Sequence, residues 1–461
     1  MPAKTVLFLL GFAACAVGAL FMPSLGVLGY VGHYCIGPER QWWSAPIAYW
    51  GIRYSYVLAV VTAVGIFLNR RKLRYGDSIL HRQELAILLF LGIVWACTLF
   101  SEPTTGAYTE VDHPSVKMTK VVIWTLMLTH LFTTLKDLNR LMWVLVVGCL
   151  ILGYQAYTAP AFQFTRGRLQ SVGGADFNEA NFLAAFLASM LPLVGVQFLQ
   201  ARWSGKMLCL ASGVLSVNAI VLTRSRGALV ALGLGAVAAL VLSPRRWRGV
   251  IILGLIVAMV GAYSLTDPAY FERASTISAN EQELDRSSQS RIGIWRASVR
   301  MLRDHPFGVG TGNFFQAIGR YDPQFEGRDA HNTFVRCYGE LGIPGLAVFA
   351  AIVGNALYML IRTVKRAMAM APELQGQAVY TSYAVAVSLV ILVGCSLTMS
   401  LIYVEVLWWL LALPVCLVRI QDNSARSETA ALFLSEDGRV AKTPARSAFR
   451  RSTKEAPNAA R

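Results

Sequence analysis

Long, continuous apolar runs dominate this sequence and recur as far as residue 418. Twelve are present when the region 1–36 is taken as one. The later eleven are 54–68, 85–100, 121–132, 141–157, 182–199, 207–222, 228–242, 250–265, 343–361, 379–399 and 401–418. A helix of about 20 apolar residues spans a bilayer, whereas a β-barrel strand alternates apolar and polar positions. The pattern therefore predicts an all-α, polytopic integral membrane protein with about 12 transmembrane helices.

The polar segments between these runs suggest five parts. We expect N-terminal transmembrane helices at 1–140, central transmembrane helices at 141–265, a large periplasmic loop at 266–342, C-terminal transmembrane helices at 343–420, and a disordered basic tail at 421–461. In the first part, Pro23 either kinks one long crossing or separates two short helices. One crossing puts the N-terminus in the cytoplasm, and two crossings put it outside.

Composition and charge support a membrane location. The 461 residues are 55% hydrophobic and 15% charged, whereas a soluble domain has about 45–50% and about 25%. The net charge of +16 would suggest nucleic acid for a soluble protein, but cytoplasmic loops of membrane proteins collect Lys and Arg. We therefore expect no nucleic-acid partner. The eight cysteines form no CxxC pair and lie mostly in apolar runs, as small core residues do.

The basic segments 69–74, 243–248 and 362–366 and the C-terminal tail fall on one side when the runs are counted alternately. The positive-inside rule makes that side cytoplasmic. The loops around 102–112, 163–180 and 266–342 then face the outside, which is the periplasm in a bacterium with two membranes.

Arginines on the outer side are exceptions to this rule. Arg224 and Arg226 lie in a short turn between two apolar runs. They either snorkel to lipid phosphates or clamp an anionic group near the membrane surface, since a guanidinium forks onto phosphate oxygens. Arg166 and Arg168 form a second outer pair. Arg168 is either an ordinary loop residue or a member of the same anion site.

Residues 291–303 predict an interfacial helix with a basic edge. At about 100° per residue, the expected apolar face consists of Ile292, Trp295, Val299 and Leu302. The expected basic edge consists of Arg296, Arg300 and Arg303. Arg291 projects on the apolar side, where it needs an anionic partner. That partner is either a carboxylate, such as Asp285 or Asp304, or a substrate phosphate.

His331 stands just before an apolar run, so it is expected near the outer membrane surface. A neutral imidazole there can accept a proton from a hydroxyl near neutral pH, although a lone histidine is more often structural. Asp329 and Glu340 are available to orient it. Asp322, Glu326 and Asp329 are widely spaced, with no HxH or DxD pattern. We therefore expect a site without a metal or another cofactor.

Several short motifs, in this order, resemble the O-antigen ligase superfamily, which includes O-antigen ligases, O-antigen polymerases and protein O-oligosaccharyltransferases. They are Arg168 with Gly173 and Asn181, the segment 225–228, Arg291 with Trp295, the segment 306–312, His331 with Asn332, and the segment 339–342. The resemblance covers roughly residues 141–346. Residues 23–30 also resemble the branch of O-glycosylation ligases associated with exosortase systems.

The resemblance implies a membrane glycosyltransferase of the bacterial inner membrane. Its donor would be a polyprenyl-pyrophosphate-linked glycan, and its acceptor a hydroxyl of a lipid, a glycan or a protein on the periplasmic face. Membrane lipids would surround it. The implied catalytic residues are His331, Arg291 and Arg226. The implied substrate-binding residues are Arg168, Arg224, Arg296, Arg300, Asn332 and Glu340.

Three other functions compete with this one. Within the enzyme class, the alternative is a polymerase that joins repeat units. A transporter or flippase also suits about 12 spans, but transporters place ionisable groups near the middle of the membrane, and such groups are nearly absent here. Nothing in the sequence favours a non-catalytic assembly protein.

Overall fold

The protein is almost entirely helical in the computed structural model, which describes residues 1–71, 73, 79–102, 108, 112–165, 167–243, 245–264, 286–368 and 372–440. Within these ranges there are sixteen α-helices: α1 (Ala3–Phe21), α2 (Ser24–Ile36), α3 (Ala45–Ala48), α4 (Tyr54–Asn69), α5 (Arg82–Phe100), α6 (Pro114–Leu131), α7 (Leu135–Tyr157), α8 (Ala180–Gln200), α9 (Trp203–Thr223), α10 (Arg226–Leu242), α11 (Arg248–Ser264), α12 (Arg286–Asp304), α13 (Phe314–Tyr321), α14 (Thr333–Ala367), α15 (Pro372–Ser396) and α16 (Glu405–Val440). An antiparallel hairpin pairs β1 (Phe164–Thr165) with β2 (Arg168–Leu169).

Six of the described helices are long and apolar enough to cross a membrane: α1, α5, α8, α9, α14 and the Gly376–Ser396 part of α15. Three shorter apolar helices are α4, α10 and the Arg248–Gly261 part of α11. Each of the later apolar runs overlaps one helix, so the prediction of an all-α, polytopic membrane protein is confirmed. The number of about 12 crossings stays a prediction.

Burial separates a central layer from a peripheral one. In α15, 83% of the apolar window is buried, and in α8 the share is 61%, whereas in α1 it is 11%. Because lipid tails are as apolar as leucine, an exposed apolar helix is stable in a bilayer. The central helices α8 and α15 therefore form the scaffold of the protein, and α1 presents most of its surface to lipid.

The region 1–36 forms two helices rather than one. α1 ends at Phe21 and α2 begins at Ser24, with Pro23 between them. The end of α1 is fixed to the end of α4, because the Asn69 Nδ2 atom donates to the Leu20 carbonyl at 2.8 Å. At the other end, the Thr5 hydroxyl donates to the Trp43 carbonyl. Pro23 thus separates two helices rather than kinking one, and the number of membrane crossings in this region stays a prediction.

α16 continues to Val440, past residue 421, where the sequence analysis places the start of a disordered basic tail. Helix propagation adds one hydrogen bond per residue once a nucleus exists, and the apolar start of α16 supplies that nucleus. Residues such as Ala430, Ala431 and Leu432 are also good helix formers. Residues 441–461 lie outside the described part, and the five-part division stays a prediction.

The buried face of α12 also differs from expectation. Ile294, Ala297, Ser298 and Met301 are buried, whereas Val299 from the predicted apolar face is 47% exposed. Ile294, Ala297 and Met301 pack in a small cluster with Phe314 and Ile318 of α13. Tertiary packing against α13 and the start of α14 therefore sets the orientation of α12, in place of an apolar face laid on a membrane surface.

A break at Gly342 divides α14 into two parts. Its backbone has φ 64° and ψ −164°, and a Cβ at this position would lie 2.3 Å from the Phe307 carbonyl carbon. Glycine is required for both reasons. The loop before α13 is attached to this break, since the Ile343 N–H donates to the Pro306 carbonyl at 2.8 Å and the Gly310 N–H donates to the Glu340 carbonyl at 3.0 Å. The break fixes the first part of α14, which directly follows residues 329–332, the histidine turn.

Candidate functional site

Four arginines from three separate segments line one pocket, which we call the arginine pocket. Its walls consist of Arg168, Asn181, Arg224, Arg226, Gly227, Arg291, Thr398 and Met399. These residues come from β2, the start of α8, the α9–α10 turn, α12 and the loop between α15 and α16. The structure therefore brings together Arg168, Arg224, Arg226 and Arg291, as the sequence prediction requires.

Arg168 is held by two hydrogen bonds that fix the plane of its guanidinium group. Its Nε atom donates to the Thr223 carbonyl at 2.9 Å, and its Nη2 atom donates to the Asn181 Oδ1 atom at 2.7 Å. The same amide oxygen accepts the Ser225 hydroxyl at 3.0 Å. Asn181 thus joins the hairpin to the α9–α10 turn, and the position of Arg168 is set before any ligand binds.

The α9–α10 turn places two arginines at the pocket in a few residues. Arg224 ends α9 in a left-handed conformation with φ 49°. Ser225 then caps α10, and its hydroxyl accepts the Ala228 N–H at 3.4 Å. Arg226 is the first residue of α10. A helix N-terminus carries a partial positive charge and N–H groups without intrahelical partners, so this end of α10 adds to the positive potential of the pocket.

A close approach between α10 and the 397–404 loop forms the opposite wall. A Cβ on Gly227 would lie 2.1 Å from the Thr398 Oγ1 atom, so the lack of a side chain at Gly227 permits this close approach. The loop is in turn attached to the start of α14, because the Asn332 Nδ2 atom donates to the Leu397 carbonyl at 3.0 Å and the Thr333 hydroxyl donates to the Met399 carbonyl at 2.7 Å. The histidine turn is therefore tied to the pocket.

His331 lies beside this pocket in a strained turn. Its φ is 46°, a left-handed conformation that is uncommon outside glycine. The Asp329 Oδ2 atom accepts the His331 N–H at 3.1 Å and lies 3.6 Å from the Nδ1 atom of the ring. Burial lowers the pKa of His331, the negative charge of Asp329 opposes this, and the positive charges of Arg291 and Arg168 lower the pKa further. The imidazole is therefore predominantly neutral near pH 7.

Arg291 reaches the pocket because α12 is docked on the histidine turn. The Trp295 indole N–H donates to the Ala330 carbonyl at 2.8 Å, one residue before His331. Asp304, one of the two carboxylates considered for Arg291, lies at the other end of α12 and bonds to Tyr321. Asp285, the other candidate, is outside the described residues, as is Arg166.

Four of the predicted substrate-binding residues are not in the pocket. Arg296 and Arg300 are exposed on the side of α12 away from its buried face, and Arg300 donates to the Tyr321 carbonyl at 3.0 Å. Asn332 caps α14, since its Oδ1 atom accepts the N–H groups of Phe334 and Val335 at 2.9 and 3.1 Å. These three residues therefore do not line the arginine pocket. Their predicted contact with substrate stays untested.

The fourth, Glu340, is completely buried. Its carboxylate accepts the Arg336 Nε–H at 3.1 Å and the Tyr403 hydroxyl at 2.6 Å. The Glu340 side chain is therefore committed to partners within the protein. Arg336 was not singled out from the sequence, although its position four residues before Glu340 on a helix is a recognisable signal.

Glu179 is a second residue that the sequence did not single out. It precedes α8, two residues before Asn181, and is exposed. Its pKa is raised by desolvation and by the charge of Asp329, and the positive charges of Arg168 and Arg336 oppose this. Glu179 thus faces the same charged groups as the histidine turn. No isolated sequence signal marks it, because it sits in an ordinary loop.

In the described part of the chain, no three His, Cys, Asp or Glu side chains are grouped so that they would hold a metal ion. The residues that converge are instead cations and one imidazole. Arginine guanidinium groups bind phosphate oxygens in pairs and keep their charge at any physiological pH. The arrangement is suited to hold a phosphate-containing group beside a neutral proton acceptor.

Comparison with known proteins adds a family to this geometry. A family model described as O-antigen ligase matches residues 211–350, a segment that contains Arg224, Arg226, Arg291 and His331. No curated protein matches the chain. The exosortase-associated branch is not confirmed by this match and stays a prediction. Residues 211–350 are therefore similar to the O-antigen ligase family.

Proposed function

We propose that the protein is a membrane glycosyltransferase that moves a glycan from a polyprenyl-pyrophosphate lipid to an acceptor hydroxyl. The observation that carries this proposal is the convergence of four arginines from three separate segments on one pocket next to His331. The similarity of residues 211–350 to the O-antigen ligase family supports the same class of reaction.

The arginine pocket suits the leaving group of this reaction. When the bond between the sugar and the pyrophosphate breaks, its electron pair stays on a phosphate oxygen, and the negative charge there increases. Fixed cations aimed at that oxygen stabilise the transition state more than the ground state. Arg226 and Arg291 supply such charges, Arg168 is held in place by Asn181, and Arg224 adds a further cation.

His331 suits the other half of the reaction. The acceptor oxygen attacks the anomeric carbon of the first sugar, a new carbon–oxygen bond forms, and the hydroxyl proton passes to the imidazole. Its lowered pKa keeps the ring neutral and able to accept this proton. The products are the glycosylated acceptor, the free polyprenyl pyrophosphate, and a proton that His331 later returns to solvent.

The proposed location follows from the charge distribution. The basic loops assign the opposite face to the cytoplasm, so we place the pocket on the periplasmic face of the bacterial inner membrane. There the donor headgroup would lie at the ends of the spans, with its polyprenyl chain among the membrane lipids. The acceptor is a hydroxyl of a lipid, a glycan or a protein.

Deletion of the gene tests the proposed function directly. The lipid-linked glycan should accumulate, with its headgroup in the outer leaflet, and the glycosylated product should disappear. Reintroducing the wild-type gene should reverse both effects. Accumulation in the inner leaflet would contradict the proposal and favour a flippase. Loss of glycan chain length with retained transfer of single units would favour the repeat-unit polymerase.

The rate of transfer should depend on pH through His331. Because its pKa lies below the ordinary value of 6.5, kcat/KM should rise with pH, with a midpoint below 6.5, and stay level above it. The sign follows from the base role, since the protonated ring cannot accept a proton. The measurement is the release of polyprenyl pyrophosphate from extracted lipid-linked glycan. A midpoint above 6.5 would contradict the assignment.

A further inference from the structure

Arg336 has an unusually fixed position for a cation in the first part of α14. Its side chain is only 11% exposed. The Nε atom donates to the Glu340 Oε1 atom at 3.1 Å, and the Nη1 atom lies 3.4 Å from the Asp329 Oδ1 atom. The guanidinium group is also 4.7 Å from the Phe315 ring and 5.3 Å from the Tyr403 ring. Two carboxylates and two aromatic faces therefore hold its plane.

Asp329 divides its two carboxylate oxygens between Arg336 and His331. The Oδ1 atom faces the Arg336 guanidinium, while the Oδ2 atom accepts the His331 N–H and lies close to the imidazole Nδ1 atom. An aspartate that accepts the N–H two residues later forms an Asx turn. This turn holds His331 in its left-handed conformation and points one ring nitrogen at the carboxylate.

We propose that Arg336 is a positioning residue, which fixes the Asp329 carboxylate so that Asp329 in turn orients His331 beside the arginine pocket. The inference rests on the function proposed above and deepens it by adding Glu340, Arg336 and Asp329 as one connected support. Arg336 does not contact the substrate in this arrangement. It acts through Asp329, and Glu340 acts through Arg336.

The flat guanidinium is what this position needs. Its separate N–H groups donate to two carboxylates in fixed directions, whereas the ammonium group of a lysine is a compact point charge on a flexible stem. With Arg336 in place, part of the Asp329 charge is neutralised by the guanidinium. Without it, the full charge of Asp329 acts on the imidazole and favours the protonated ring.

The charged groups around this network define what a pH measurement reports. His331 faces Asp329 from its own turn, Arg291 from α12 and Arg168 from β2. Arg336 interacts electrostatically with Asp329 and also with Glu340, Tyr403, Tyr108 and Glu179. Of the interactions that Arg336 makes, only the one with Asp329 affects His331. Removal of Arg336 therefore acts on His331 through Asp329 alone.

Arg336→Lys tests the proposal with the buried positive charge retained, so that Glu340 is not left as an isolated buried anion. The assay uses the solubilised full-length protein, lipid-linked glycan extracted from the deletion strain as donor, and membranes of that strain as acceptor. We expect kcat to fall about 10- to 100-fold. This is the range found when residues that hydrogen-bond and orient metal-binding side chains are replaced. KM for the donor should change little, because the arginine pocket remains.

A second variant, Arg336→Gln combined with Glu340→Gln, replaces the buried ion pair by two neutral amides. We expect its pH profile to rise at a higher pH than that of the wild type, because Asp329 then acts on His331 with its full charge. A merely structural role would reduce the amount of active protein and leave the midpoint unchanged. An unchanged midpoint would therefore overturn the proposal.

A double-mutant comparison shows whether Arg336 works through Asp329. Arg336→Lys with Asp329→Asn should be no slower than Asp329→Asn alone, since the shared function is already lost. A loss in kcat equal to the product of the losses of the two single variants would contradict the proposal. Arg320→Lys is the matched control, because Arg320 is an arginine of the same outer region that is 66% exposed and pairs only with exposed Glu102 among the ion pairs of the described residues.

These results separate the two proposals. If His331→Gln is inactive and Arg336→Lys has the wild-type kcat and pH profile, the base assignment stands and the positioning role is wrong. If His331→Gln retains full transfer, the base assignment fails, and the positioning role fails with it.

Discussion

Replacement of His331 by glutamine should lower transfer about 10²–10⁴-fold, the usual contribution of general-base help. An acceptor hydroxyl is a poor nucleophile at neutral pH, and glutamine keeps hydrogen-bonding capacity but is a negligible base. The measurement is the rate of glycan transfer from the extracted lipid-linked donor, together with the amount of folded protein in the membrane. Near-full transfer would show that His331 only supports the loop.

The backbone conformation of His331 calls for a second variant. At φ 46°, glutamine is strained, so a loss of activity could arise from a distorted turn. Asparagine tolerates the left-handed region, and its amide is also a negligible base. His331→Asn should therefore restore thermal stability and remain inactive. If His331→Asn recovered transfer, the turn conformation rather than proton acceptance would be the function of this residue.

Replacement of Arg226 or Arg291 by lysine should lower kcat/KM for the donor about 10²–10³-fold, which is the effect of removing one fixed donor to a developing anion. Both side chains line the pocket. Lysine keeps the charge but loses the paired N–H geometry that matches phosphate oxygens. The loss should be visible in both binding and rate, because the pyrophosphate carries charge before and during bond cleavage.

The control for this prediction lies on the same helix as Arg291. Arg303 is exposed and is not part of the pocket, so Arg303→Lys should change transfer by less than about twofold, as expected for a surface site. Binding of polyprenyl pyrophosphate to the purified protein gives an independent measurement. Equal binding by the wild type and by Arg291→Lys would argue against a pyrophosphate in this pocket.

Much of the fold is a local property of the chain. A run of apolar residues such as 182–199 must be helical in a bilayer, because every backbone N–H and C=O there needs a partner within the segment. For that reason the run appears as α8 with nearly the expected bounds. The arginines that the sequence assigns to the outer side were also recognisable, because there Arg226 and Arg291 depart from a strong compositional bias.

What only the tertiary structure decided was which of these residues meet. Arg291 reaches the pocket while Arg296 does not, because the orientation of α12 depends on packing with α13 and α14 rather than on its own periodicity. The sequence also gives no sign that Thr398 faces Gly227, or that Arg336, besides pairing with Glu340, lies against Asp329. A membrane span is determined by length and composition, which a sequence carries locally. A site is determined by contacts between distant segments, and those exist only once the helices have packed.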